Sequence, residues 1–145
     1  MSENNNKLVK CVLPYSGGAD STTILWKLFN SQKYDEIHCI SFNYGQRHNV
    51  ELECAKWNVE HLNDKNAKTK IVYKTIDIPF LRDIAPTSCL TNDNISVPTA
   101  EDAENNPKPS SYVPNRNMIM LSIAASYAEA IQALEVFHGA MLLGL

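Results

Sequence analysis

The chain has 145 residues, 13 Lys and Arg against 16 Asp and Glu, 44% apolar residues and four cysteines. That is enough for one globular domain with its own core and too short for two full-sized ones, and the ordinary apolar and charged fractions exclude a disordered or collagen-like chain. A net charge of −3 supplies no global field to attract nucleic acid or an anionic membrane, so any bound anion needs a local device.

Residues 1–6 are polar and lack the apolar centre of a secretory signal, so none is expected. Residues 7–14 (KLVKCVLP) form a short β-rich run ended by a proline and followed by a turn-forming stretch. From Ser21 onward Ile24, Leu25, Leu28 and Phe29 recur at helical spacing. Residues 37–43 (IHCISFN) are rich in β-branched and aromatic side chains and predict a second strand. Residues 50–62 place Leu52, Ala55, Val59 and Leu62 on one face of an amphipathic helix, and residues 71–78 (IVYKTIDI) alternate partly, as a third strand does. Residues 79–113 hold five of the seven prolines with many Asn, Asp and Ser, which predicts a long loop of the lid, binding or disordered kind. Residues 117–128 predict an uncharged helix, mostly buried, and residues 134–139 (LEVFHG) a fourth strand. The apolar run at 118–128 is too short to span a bilayer.

This alternation predicts an α/β fold, a four-stranded parallel sheet with helices on both faces, in one domain over residues 1–145. Such sheets bind ligands at the carboxyl ends of their strands, where the strand order reverses. Cys11, Cys39, Cys54 and Cys89 lie far apart with no CxxC pair, and three sit in apolar-patterned segments. Buried free thiols in a reduced cytoplasm are expected, with no disulfide framework and no structural zinc. His38, His61 and His138 are expected to be structural, and Trp26 and Trp57 to be packing residues.

The strongest signal is the turn after the first strand, Tyr15-Ser16-Gly17-Gly18-Ala19-Asp20-Ser21-Thr22-Thr23. Two of only five glycines stand adjacent here, between a strand and a helix. Glycines let backbone N–H groups approach a ligand, hydroxyls at Ser16, Ser21 and Thr22 add donors, and the following helix points its positive end into the same space. Amides curled into such a nest bind anions without a basic domain. A P-loop would need a Lys after the glycines and a dinucleotide site would need GxGxxG; neither is present. A plain Gly-Gly turn with Asp20 as helix cap is the bland alternative.

SGGADS resembles the SGGxDS loop of the ATP pyrophosphatase (PP-loop) superfamily, whose members bind the β,γ-pyrophosphate of ATP there and transfer AMP to an oxygen. Phe42-Asn43-Tyr44-Gly45-Gln46-Arg47-His48 and Tyr112-Val113-Pro114-Asn115-Arg116-Asn117 resemble the DYGQRH and FVPGRN stretches of the 7-cyano-7-deazaguanine synthase family. Ser88-Cys89-Leu90-Thr91 is similar to that family's SSLT, and the resemblance runs over residues 7–139. It implies an ATP-dependent carbon–nitrogen ligase that makes 7-cyano-7-deazaguanine from 7-carboxy-7-deazaguanine and ammonia, with ATP and Mg²⁺, in queuosine synthesis. It also implies a nucleotide site over Tyr15, Ser16, Gly17, Gly18, Ala19, Asp20, Ser21, Thr22, Thr23, Ile24 and Leu25. Substrate contacts are implied at Gln46, Arg47, His48, Arg116 and Asn117, and catalytic roles at Arg47, Arg116 and Asp20.

The residues themselves fit such roles. Guanidinium forks at Arg47 and Arg116 match phosphate or carboxylate geometry, and His48 stands ready to orient a substrate, shuttle a proton or act structurally. Asp20 is expected to cap the helix and share in organising Mg²⁺.

Two features depart from the family. Asn115 replaces the usual Gly, and Asn tolerates left-handed backbone angles. Family members continue by about half as much chain again to a four-cysteine zinc site, whereas no cysteine follows Cys89, so the sequence reads as cut short. An exposed fourth strand would then favour self-association, as a dimer or larger. The rival readings are a non-catalytic ATP-binding remnant and another adenylating enzyme such as a tRNA-thiolating protein. Partners are expected to be small molecules, with no membrane and no direct nucleic acid.

Overall fold

A computed structural model describes residues 7–45, 50–65, 68–90 and 112–139. Along the chain run β1 (Lys10–Pro14), α1 (Ala19–Ser31), β2 (Glu36–Asn43), α2 (Val50–Asn63), β3 (Lys70–Asp77), the single turn α3 (Leu81–Ile84), α4 (Arg116–Ala130) and β4 (Glu135–Val136). The four strands form one parallel sheet in the order β3-β2-β1-β4, a Rossmann-like arrangement. The chain steps outward from β1 to β3 and then returns to the other side of β1. The order therefore reverses between β1 and β4, and the binding crevice of such a sheet lies above their carboxyl ends.

Side-chain alternation along the strands builds two cores. Cys11, Leu13, Ile37 and Cys39 face α1 and α2, meeting Leu25, Leu28, Phe29, Ala55, Val59 and Leu62. Val12, Ile40 and Phe42 face the other way, toward Leu81, Ala85, Ala124 and Ala128. β1 and β2 are central and buried on both faces, which is why they read as apolar runs. At the opposite edge Lys33 Nζ lies 2.8 Å from Glu135, Tyr34 Oη donates to the same carboxylate, and the Tyr34 ring meets Phe137 edge-on at 6.0 Å. Those bonds, Lys33 foremost, hold the Glu135 carboxyl below its ordinary pKa.

Several expectations are corrected. β1 starts at Lys10, because Val9 is tied instead to Asp35 through its amide (2.9 Å) and its carbonyl (2.8 Å). β4 is only two residues long, opposite Cys11 and Val12. Flanking bonds from Leu134 N to Lys10 O (3.0 Å) and Phe137 N to Val12 O (2.9 Å) extend its hold on β1. α4 buries only Ala124 and Ala128, while Met118, Ser122, Ala125 and Ser126 are exposed. A helix on one face of a sheet can press only one stripe against it, and lack of charge does not widen that stripe. Among the described residues no helix is long and apolar enough to cross a membrane.

Cys11, Cys39 and Cys89 are buried, but Cys54 lies on the outer face of α2 and is exposed. Burial pushes the Cys11 thiol up to about 12 and raises Cys39 further. His38 is structural, with Nε2 at 3.0 Å from Glu36 and Nδ1 at 3.1 Å from the Tyr127 hydroxyl. Trp57 is not a core residue: it is 62% exposed and stacks on His61 at 5.2 Å. Trp26 is half-buried against the first core, with the Lys65 ammonium 4.3 Å from its ring centre.

Candidate functional site

The helices α1, α2 and α4 run opposite to the strands, so all three begin at the carboxyl edge of the sheet and turn their positive ends toward it. The turn between β1 and α1 lies at the centre of that edge. Its entry is fixed by two bonds to β2, from the Tyr15 amide to Ile40 O (2.7 Å) and from Ser41 Oγ to Tyr15 O (2.6 Å).

Gly17 has φ +80 and Gly18 holds the N-cap position at φ −72, ψ 168. Ser16 Oγ accepts from the Gly18 amide at 3.2 Å and lies 3.2 Å from Ser21 Oγ, which donates to Gly18 O at 3.1 Å. The serine hydroxyls thus brace the turn. No side chain caps α1, and its first intrahelical acceptor, Gly18 O, takes the Thr22 amide at 2.9 Å. The amides of Ala19, Asp20 and Ser21 come before that bond and have no carbonyl behind them. The expectation that Asp20 caps the helix is therefore corrected. It sits within the first turn, exposed, where its carboxylate is free of the cap.

Gly17 also serves an end that the sequence does not announce. A Cβ there would lie 2.7 Å from Glu51 O and 2.9 Å from Ala55 N, backbone atoms of α2. The missing side chain thus lets α2 close against the turn. Tyr15 and Leu25 have their side chains in the core, at 1% and 0% exposure, and Ile24 packs against it. Thr23 Oγ1 donates to Ala19 O at 2.8 Å.

The end of β2 forms a second wall. Asn43 Nδ2 donates to Asp77 at 2.7 Å, and Asn43 Oδ1 accepts from the Gly45 amide at 3.1 Å. Arg82 of α3 donates to Gly45 O at 3.1 Å, across the space a side chain at position 45 would occupy. Gly45 has φ +77, so residue type is constrained there twice over. Gly45→Ala should expel that guanidinium and lower the melting temperature, and Gly45→Ala/Arg82→Ala should recover part of the loss, because only the backbone strain then remains. Thermal melts of the three variants check this, and a double variant less stable than Gly45→Ala would refute it. Gln46, Arg47 and His48 lie outside the described residues.

The third wall starts α4. Asn115 is left-handed at φ 52, as its tolerance of such angles predicts, and Arg116 follows as the first helical residue. Arg116 donates to the hydroxyl of buried Tyr44, whose pKa is raised by burial against the pull of that guanidinium. Glu51 joins the walls, since its carbonyl faces Gly17 and its carboxylate acts on Tyr44. Asn117 is exposed in the same first turn. His138 follows β4 with both ring nitrogens buried and unpaired among the described residues. A Cβ on Gly139 beside it would stand 3.5 Å from Ser21 N, so the segment after β4 runs against the start of α1.

The Ser16–Thr22 turn, Arg116 and Asn117 thus all lie at the carboxyl edge of the sheet. Sequence reasoning missed the parts of Tyr44 and Arg82. Tyr44 stood inside a quoted motif, but Arg82 carried no local signal. Among the described residues no three His, Cys, Asp or Glu side chains converge as a metal cluster.

This arrangement can be set beside known proteins. Residues 10–143 match the family described as Queuosine biosynthesis protein QueC. The 7-cyano-7-deazaguanine synthase of Hahella chejuensis is 43% identical over 142 residues, which covers 97% of this chain and 57% of that protein. Among solved structures, the NH3-dependent NAD synthetase of Campylobacter jejuni, in complex with nitrate ion, superposes with a TM-score of 0.55 at 19% identity. That match covers 90% of this chain and 47% of the other, and bears on the fold alone. The chain spans a little over half the length of the curated relative. With the family match running from β1 past β4, and 43% identity across nearly all its residues, the chain belongs to the QueC family of queuosine biosynthesis.

Proposed function

We propose that this chain binds Mg·ATP at the start of α1 and serves the synthesis of 7-cyano-7-deazaguanine from 7-carboxy-7-deazaguanine and ammonia. The observation that carries the reading is the uncapped helix start, three amides with no acceptor behind them above a glycine turn braced by Ser16 and Ser21. Two linked phosphates suit such a donor set. Within the stretch Tyr15–Leu25, the backbone from Ser16 to Ser21 is assigned to the phosphates, and Tyr15, Ile24 and Leu25 support it from the core. Asp20 offers an exposed hard oxygen beside these amides and would hold Mg²⁺, which when bound neutralises phosphate charge.

The chemistry asks for adenylation. A carboxylate is a poor electrophile because its leaving group would be oxide. Its oxygen attacks the α-phosphorus and pyrophosphate departs. Ammonia then displaces AMP, giving the amide. The amide oxygen attacks the α-phosphorus of a second ATP, a second pyrophosphate departs, and loss of AMP with the two amide protons leaves the nitrile. Arg116 and Arg47 are assigned to the charge on the α-phosphate, and Gln46, His48 and Asn117 to the acceptor. We further infer one domain over residues 1–145, a cytoplasmic place, small-molecule substrates without direct nucleic acid, and self-association through the sheet edge at β4.

Calorimetric titration with Mg·ATP and with pyrophosphate, beside a mass-spectrometric assay for amide and nitrile, tests this reading. Binding of both ligands and ATP-dependent nitrile are expected. Absence of heat with either ligand sinks the anion site. ATP binding without product favours a second reading, a nucleotide-binding unit that acts with further polypeptide, which the 57% coverage of the relative supports.

A further inference from the structure

The ring of Tyr15 is 1% exposed and packs with Leu25, Ala55, Val59 and Cys39, a setting that a phenyl ring would fill equally well. The hydroxyl is what packing does not explain. It lies 3.1 Å from Thr22 Oγ1, in α1 just beyond the three free amides. Among the described residues Thr22 Oγ1 is its side-chain hydrogen-bond partner, while the Asn58 amide of α2 donates to Cys54 O at 2.9 Å. One polar contact to α1 is thus set inside an apolar core. Meanwhile the Tyr15 backbone is locked to β2 on both sides, by its amide to Ile40 and by its carbonyl to Ser41.

This matters for the turn above. Gly17 allows α2 to touch the turn but supplies no bond that sets the rotation of α1 about its own axis. The amides of Ala19, Asp20 and Ser21 point along directions fixed by that rotation, and Thr22 is the next residue of the same helix. We propose that Tyr15 is a positioning residue whose hydroxyl ties Thr22 of α1 to the sheet, where its own backbone is gripped by Ile40 and Ser41 of β2, and thereby holds the aim of the amides that receive phosphate. The inference rests on the anion-site reading of the α1 start and adds a residue that acts on it from below.

The test uses the 145-residue chain, with inorganic pyrophosphate and adenosine as separate probes in calorimetry. Circular dichroism confirms that each variant is folded. Tyr15→Phe should weaken pyrophosphate binding roughly three- to tenfold, the worth of one buried hydrogen bond, and leave adenosine binding as in the wild type. Thr22→Val should do the same, and the double variant should be no worse than either single one, because both remove the same tie. In the ligand-free protein, hydrogen exchange at the Thr22 and Thr23 amides should quicken in Tyr15→Phe by a similar factor. Equal pyrophosphate affinity in Tyr15→Phe, additive losses, or equal weakening toward adenosine would overturn the proposal. If the wild-type chain binds no pyrophosphate, the anion-site reading fails. In that case unchanged hydrogen exchange rejects the tie on its own, and quickened exchange upholds the tie between Tyr15 and α1 without a ligand to serve.

Discussion

Gly17→Val should abolish pyrophosphate and ATP binding and lower the melting temperature together. The backbone at position 17 is left-handed, and a branched side chain held there costs on the order of 1–3 kcal/mol. Its Cβ would also stand 2.7 Å from Glu51 O and 2.9 Å from Ala55 N, atoms of a helix backbone that cannot rotate away. Forcing α2 outward adds about 1–3 kcal/mol more. Such losses take a large part of a domain stability of roughly 5–15 kcal/mol, so a drop of about 10 °C or more is expected. Gly18→Ala is the contrast. Its φ is ordinary and its Cβ would meet only Ser16 Oγ at 3.3 Å, a hydroxyl able to turn aside. Its melting temperature should stay within a few degrees of the wild type, about the worth of one shifted hydroxyl contact. Calorimetric melts and ligand titrations of both variants decide it. A Gly17→Val protein that melts like the wild type would show that α2 does not press on the turn.

Arg116→Ala should lower turnover by roughly two to three orders of magnitude, the usual loss when one preorganised donor to a developing charge is removed. Arg116 begins α4 at the carboxyl edge, with its guanidinium acting on the Tyr44 hydroxyl. Arg116→Lys should recover little, because an ammonium cannot keep a bond to Tyr44 and offer a planar pair of donors to phosphate as well. ATP–pyrophosphate exchange measures the loss. The same variants carry a spectroscopic sign. Burial raises the Tyr44 pKa and the guanidinium opposes that rise, so its removal should move Tyr44 ionisation to still higher pH in an ultraviolet titration. Exchange within twofold of the wild type would remove Arg116 from the reaction.

Strand and helix order were legible because β1 and β2 are buried on both faces and α2 is buried on one, so each carries the period of its own geometry. The turn was legible because Ser16, Gly17, Gly18 and Ser21 act within a few residues of one another. What was misread depends on partners far away in the chain. The contact of Gly17 with Ala55 went unread, because no local pattern marks it. Asp20 looked like a cap because carboxylates often are, but the backbone enters the helix two residues earlier, at Gly18. α4 looked buried because residues 117–128 carry no charge, whereas its neighbours fully cover only Ala124 and Ala128. Arg82 reaches Gly45 across 37 positions of sequence, a distance at which single-residue reasoning carries no signal.

The uneven placement of the thiols gives the protein a built-in attachment point. Thiolate is the form that reacts with maleimide dyes, and burial with a raised pKa keeps Cys11 and Cys39 protonated and shielded. Cys89 is buried as well, which leaves Cys54 open to solvent on α2. That residue stands directly before Ala55, whose backbone and Cβ meet Gly17. A fluorophore coupled there would sit one residue from the contact between α2 and the phosphate-facing turn. It would report on that joint without any engineered cysteine.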